Sequence, residues 1–306
     1  MTSPEYHTHR ALLTPQSFGI GRSLRFWTVY PKVLIWLVLC IGVTHPARGH
    51  GDAHGMIQAV TEELKTRPKD PDLYYRRGEL FRRHAEWDLA WADYERAERF
   101  GGKMEILDLS RGLLLAEAKW GHSALGYLDR YLAVESNSIP ALSTRARVHL
   151  SFTNRSAAIQ DFSTAIARTS DPRPELYLER AQVLMSTTPP DFAEALKGIE
   201  QGLEKLGPVV TLQLQAIDLE LRLEKTNAAI ARLDSIISQS PRKETWQARR
   251  GEILMQAQRW SESSASFKES LASLRSLPAS RRNAPAMREL ERRIQSALTN
   301  LPAKSP

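Results

Sequence analysis

From about residue 56 to residue 298, apolar side chains recur at spacings of three and four, with charged and polar residues between them. This is the pattern of helices that bury one face and leave the other in water. A longer period lies on top of it. The segment Asp72 to Phe81, followed by Trp87, Ala90, Tyr94 and Ala97, reads as two helices with a small residue midway along the first and another early in the second. The first small residue recurs as Gly78, Gly112, Ala146, Ala181, Ala216 and Gly251, at steps of 34, 34, 35, 35 and 35. The second recurs as Ala90, Ala124, Ala158, Ala195 and Ala229, with Ser263 in the sixth unit. Four residues after each stands a large apolar one: Tyr94, Leu128, Phe162, Ile199, Leu233 and Phe267.

Three registers that share one period predict a repeat protein of helix pairs. Two helices pack closely only where a small side chain lets the backbones approach, and the large residue one turn later is expected to fill the groove between its pair and the next. One unit cannot bury this surface alone, so stability must come from stacking. Pro241 and the Asp171–Pro172 step fall at unit boundaries, where helices stop.

The pattern resembles the tetratricopeptide-repeat (TPR) family over residues 70 to 277. The resemblance implies an all-α, right-handed α-solenoid of about six helix pairs with N- and C-terminal capping helices. The units are placed at 71–104, 105–138, 139–173, 174–208, 209–243 and 244–277. Residues 50–70 form a leader and capping helix, and 278–306 a capping helix and tail. Apolar stripes at Ile57, Val60 and Leu64, and at Met287, Leu290, Ile294 and Leu298, carry the two caps. Departures from the family pattern have expected consequences. Two extra residues near Thr187–Pro190 predict a bulging turn in the fourth unit, and one extra residue is assigned to the turn of the fifth. Tyr131 and Ile236 replace small residues, and Ser263 and Ser270 make the sixth unit the weakest match.

In this family the first helix of each unit lines a concave binding face. Carried onto this chain, that face comprises Tyr75, Glu79 and Arg82; Leu109, Leu113 and Ala116; Ser143, Arg147 and Leu150; and Leu178, Gln182 and Met185. It ends with Gln213, Ile217 and Glu220, then Ala248, Glu252 and Met255. An apolar groove with flanking charges suits a peptide held by apolar anchors. The Lys/Asn arrangement by which chaperone-binding members clamp a terminal carboxylate is absent, since Tyr75 and Glu79 stand where it would begin. An arginine beside the first small residue recurs as Arg77, Arg111, Arg145, Arg180 and Arg250, interrupted by Gln215. It is either a ladder for acidic peptides or a structural device that pairs with an acid on the adjacent unit, and the structural role is favoured.

Charge changes the picture at one end only. The net +7 includes +4 from residues 1–49, leaving 37 basic and 34 acidic side chains in the remainder. Interspersed signs at +3 give little long-range pull on a phosphate backbone, so nucleic acid is not an expected partner. The N-terminal segment is basic and aromatic from Arg22 to Lys32, then uncharged from Val33 to Thr44, with Ala47 and Gly49 at signal-peptidase spacing. Residues 1–49 read as a signal peptide cleaved after Gly49, which implies export to the periplasm or beyond. An uncleaved anchor that recruits Phe26 to Tyr30 is the alternative, with the repeats outside the cytoplasm. The single cysteine, Cys40, follows Leu39 where a lipobox needs Gly, Ala or Ser.

No Gly-rich phosphate loop, G-x-S-x-G elbow, H-E-x-x-H or Cys/His pairing is present, and carboxylates are scattered as on solvated helix faces. No catalytic residue and no cofactor is expected. His50, Asp52 and His54 could hold Cu(II), Ni(II) or Zn(II) beside a free α-amine, but a flexible leader is the favoured reading. His84, His122 and His149 belong to different units and are expected as polar surface. The sequence therefore points to a non-enzymatic adaptor of the periplasm or cell envelope that binds another protein or peptide. A metal-binding accessory protein and a membrane-anchored scaffold are the alternatives.

Overall fold

The computed structural model describes residues 51–302, and every regular element among them is a helix. The segment 1–49, expected to direct export, lies outside the described residues, as does His50. A first helix, α1 (Gly51–Thr66), precedes six pairs. They are α2 (Pro71–Arg83) with α3 (Trp87–Arg99), α4 (Met104–Glu117) with α5 (Gly121–Val134), and α6 (Ile139–Ser151) with α7 (Arg155–Arg168). Next come α8 (Pro174–Met185) with α9 (Phe192–Leu206), α10 (Val210–Arg222) with α11 (Thr226–Gln239), and α12 (Glu244–Gln256) with α13 (Trp260–Arg275). A short α14 (Ala279–Arg282) leads to the last helix, α15 (Pro285–Asn300).

In the first, second and sixth pairs the contact is made where the sequence placed its glycines. A Cβ added to Gly78 would lie 2.7 Å from the Tyr94 ring, one on Gly112 would lie 2.8 Å from Leu128, and one on Gly251 would lie 2.7 Å from Phe267. In these pairs the large residue sits directly on the small residue of its own pair. Tyr94, Leu128, Phe162, Ile199, Leu233 and Phe267 are all fully buried there, as are the five alanines of the second helices. Ser263 takes the alanine position in the sixth pair, and its Oγ donates to the Gly251 carbonyl at 2.8 Å. Ser270 donates to the Glu244 carbonyl at 2.5 Å, and Ser266 accepts from Arg250. The unit that matches the sequence pattern least well is therefore tied by three buried hydroxyls, each satisfied.

Five of the six turns inside pairs share one backbone device. Ala85, Lys119, Thr153, Glu224 and Gln258 each adopt φ between 58° and 68°, in a three-residue link that reverses the chain. In four of these units the left-handed residue stands seven positions after the first small residue. The fourth pair departs: its link runs from Ser186 to Asp191, where two inserted residues remove the left-handed turn.

The fifth pair corrects the register read from sequence. Its turn has the ordinary three residues, and seven positions before Glu224 stands Ile217, not Ala216. Burial along α10 agrees, because Leu212, Ile217, Leu219 and Glu220 match the buried pattern Leu107, Gly112, Leu114 and Leu115 of α4. Counted from Ile217, the fifth unit has no extra residue: Ala195 to Ile217 is 22 positions and Ile217 to Ala229 is 12, the same spacings as Ala90 to Gly112 and Gly78 to Ala90. The crossing point of this pair is consequently an isoleucine, which packs with Ala229, Ile230, Leu233 and Ile236 of α11.

Both ends are closed by amphipathic helices. Val60 and Leu64 of α1 pack on Leu73, Tyr74 and Leu80. Leu290 and Ile294 of α15 pack with Phe267, Leu271 and Leu274 of α13. No helix among the described residues is long and apolar enough to cross a membrane.

Three substitutions test this packing by thermal or urea unfolding. Gly112→Ala places a methyl inside the Leu128 contact and is expected to destabilise by about 1–3 kcal/mol. Gly126→Ala in α5, where a Cβ meets nothing within 4 Å, is expected to stabilise by about 0.5–1 kcal/mol. Thr153→Gly relieves a β-branched residue at φ 59° and is expected to stabilise by about 1 kcal/mol.

Candidate functional site

The recurring arginines are consumed inside the solenoid. Arg145 of α6 forks onto Asp161 of its own pair, Nε and Nη2 donating at 2.8 and 2.7 Å, while Nη1 reaches Asp129 of the preceding pair at 2.7 Å. Arg77 bridges Asp93 and Thr61 in the same way, and Arg250 bridges Asp234 and Ser266. Arg180 joins Ser163 to Glu194. In the second unit Tyr127 replaces the aspartate, so Arg111 lies against the rings of Trp91 and Tyr127 and pairs with Glu98. The position of Gln215 is not an interruption once the register is corrected. Arg232 of α11 occupies the place of Asp93 and donates to the buried Glu220 of α10 at 2.6 Å and to Glu200 of α9. The polarity of the rung is reversed and the rung is kept.

The face lined by first helices is what remains for a partner. Residues three before, one after and four after the first small position occupy it. In the first unit its charges satisfy one another: Glu79 accepts from Tyr94 at 2.6 Å and from Arg82 at 2.9 Å, and Arg82 also donates to Glu117 of the next unit. Burial pushes the Glu79 carboxyl up, but the hydrogen bonds from Arg82 and Tyr94 and the Arg82 charge outweigh it, leaving the pKa below the ordinary value. Burial and the neighbouring Glu79 raise the Tyr94 hydroxyl, and burial raises that of Tyr75. In the second unit Leu109, Leu113 and Ala116 are partly exposed with no charge among them, next to the exposed Ile106. In the third, Arg147 forks onto Glu179 of α8 at 2.8 Å, and Leu150 is half-buried beside it. Leu178, Gln182 and Met185 follow, with Met185 Sδ accepting from Gln215.

Four residues expected on this face are buried instead: Ile217, Glu220, Ala248 and Ser143, each less than 5% exposed. For α10 the cause is the one-residue shift: Leu214, Asp218 and Leu221 take the places assigned to Gln213, Ile217 and Glu220. Leu214 is 40% exposed and Val210, one turn earlier, 48%. The signal that finds them is the turn spacing, which the sequence hides because no glycine marks the left-handed position. Glu252 in the sixth unit pairs with Arg249 and with Arg293 of α15.

Helix α1 begins at Gly51 and carries His54 in its first turns, whereas His50, the other imidazole of the leader, lies outside the described residues. Among the described residues no three His, Cys, Asp or Glu side chains converge. His122 packs its ring on Phe152, centroids 4.1 Å apart, across two units.

The fold is that of TPR solenoids. The C-terminal part of a TPR repeat-containing protein from Cytophaga hutchinsonii superposes with a TM-score of 0.60 at 14% identity, covering 74% of this chain and 92% of that one. PilF of Pseudomonas aeruginosa superposes with a TM-score of 0.50 at 17% identity, covering 65% and 90% respectively. No family model and no curated protein sequence matches the chain.

The ladder and the groove cluster are separable by experiment. Asp161→Ala leaves the Arg145 guanidinium with Asp129 as its one carboxylate and should lower the melting temperature by the equivalent of about 1–3 kcal/mol. Glu79, with its folded pKa depressed, contributes stability that is present above the unfolded value of about 4.3 and is lost as pH falls through the folded one. Unfolding followed between pH 6 and 3 should show that acid loss, and Glu79→Gln should flatten it.

Proposed function

We propose that this protein is a non-enzymatic scaffold that holds a partner protein or peptide on the face formed by the first helices. The observation that carries this reading is the division of labour among its side chains. The repeated arginines and their acids join helices and are engaged there. What faces outward along α4 is apolar, Ile106, Leu109 and Leu113, and along α10 Val210, Leu214 and Leu221 flank the Asp218–Arg222 pair. Between them lie the Arg147–Glu179 pair and Gln182, so the face offers two apolar anchor sites separated by polar register marks. Such an arrangement fits an extended or helical peptide with apolar side chains near both ends.

Export to the periplasm or cell envelope is part of the proposal and rests on the apolar run from Val33 to Thr44 with its basic flank. Retention of residues 1–49 would instead make the protein a membrane-anchored scaffold. Sequencing the N-terminus of protein purified from its own cells distinguishes these: a new terminus at His50 supports export with cleavage, and an intact terminus excludes it.

The groove is tested by cross-linked co-purification of the wild type against Leu109→Glu/Leu113→Glu and, separately, Leu214→Glu. Both variants are expected to keep helical circular dichroism and to lose a discrete partner by at least tenfold. Retention of every partner by folded variants would sink the assignment of this face.

A further inference from the structure

The recurring arginines of the repeats are paired between helices; in the C-terminal cap, among the described residues, only Arg293 is. Residues 275–293 hold six arginines and no lysine against two glutamates. Of these, Arg293 pairs with Glu252 and Arg292 with Glu289. Arg282 donates to the Arg275 carbonyl at 3.1 Å, which brings α14 against the end of α13. Arg275, Arg281 and Arg288 are exposed and have no carboxylate within 4 Å among the described residues. Arg288 and Arg292 lie one turn apart on α15 and, with Asn283, Pro285 and Glu289, line an open cleft at the start of that helix.

Helix α15 spans 16 residues and starts at this cleft, so the positive end of its dipole lies beside Arg288 and Arg292. Its start adds few backbone donors, because Pro285 has no N–H and those of Met287 and Arg288 donate to the Ala284 carbonyl. The arginines therefore carry the attraction for a negatively charged oxygen. We infer that the α14–α15 cap is a docking surface for a carboxylate-rich segment of a protein partner.

Charge complementarity sets the occupant. All the cations are arginine, whose planar fork takes a carboxylate or a phosphate in two parallel bonds where an ammonium acts only as a point charge, and a body at only +3 exerts little pull on a phosphate backbone. And no large apolar side chain is exposed between residues 275 and 302, so the surface lacks the anchors by which a basic helix enters a lipid headgroup layer. The site is at the far end of the chain from the apolar patch of α4. A partner could therefore be held at two places, its apolar part in the groove and its acidic part on the cap.

The test is fluorescence anisotropy of a labelled ten-residue glutamate-rich peptide titrated with the full-length chain at low and at physiological ionic strength. The wild type should bind, with affinity weakening as salt rises. Arg281→Glu/Arg288→Glu should weaken binding at least tenfold, and Arg281→Lys/Arg288→Lys should fall between. The single Arg288→Gln variant gives a second measurement if the double reversal disturbs the cap, and it should weaken binding at least threefold. Arg168→Glu/Arg173→Glu, which makes the same change in net charge on the third unit and its boundary, should leave binding unchanged, as should Leu109→Glu/Leu113→Glu. Equal binding by the cap variants and the wild type would overturn the inference. So would failure of the peptide to bind while anionic phospholipid vesicles or a single-stranded oligonucleotide do.

Discussion

Everything in this molecule depends on how closely two helices of a pair can approach. Gly78, Gly112 and Gly251 have no room for a Cβ, because Tyr94, Leu128 and Phe267 already occupy the space within 3 Å. That contact sets the depth to which the second helix sinks onto the first. It also sets which side chains lie between pairs and which face outward. Where the small residue is replaced by Ile217, the pair still forms, but the residues around it change roles: the place of an apolar core residue is taken by Glu220, with Arg232 as its partner. The loss of a small crossing residue and the reversal of the ion pair occur in the same unit.

The arginine rungs follow from the same geometry. A guanidinium one residue before the crossing point is held between its own second helix and that of the preceding pair, so each rung ties three helices. Buried pairs of this kind add little net stability over apolar packing, but breaking one is costly, and they fix register. In a stack of similar units, register is what most needs fixing, because a slipped pairing would bury nearly the same apolar area. Arg111 shows the limit of the device: without an aspartate at Tyr127 it lies against aromatic rings, and its buried Nε has no partner.

With these charges engaged internally, the surfaces left for recognition are few. The first-helix face supplies two largely apolar sites separated by a polar stretch, and the C-terminal cap supplies the exposed arginines Arg275, Arg281 and Arg288. Both belong to the proposed reading of the protein as a scaffold. Their chemistry differs enough that one partner could engage both.

The period, the helix pairs and the caps were legible in the sequence because each rests on a side-chain size or apolar spacing that recurs every 34 or 35 residues. The structural role of the arginines was legible too, since one interrupted position could not hide the rest. The placement of Ile217 and Glu220 was not. Ala216 satisfied the small-residue pattern, and the turn that sets the true register uses Ala, Lys, Thr, Glu and Gln at its left-handed position, with no glycine to mark it. Nor could spacing reveal that Ser263, Ser266 and Ser270 would each find a buried partner, or that Arg281, Arg282 and Arg288 would gather at one helix start. Local pattern determines which faces are apolar and how often they recur. Which neighbour each face meets, and which charges are left without one, is decided only when the units stack.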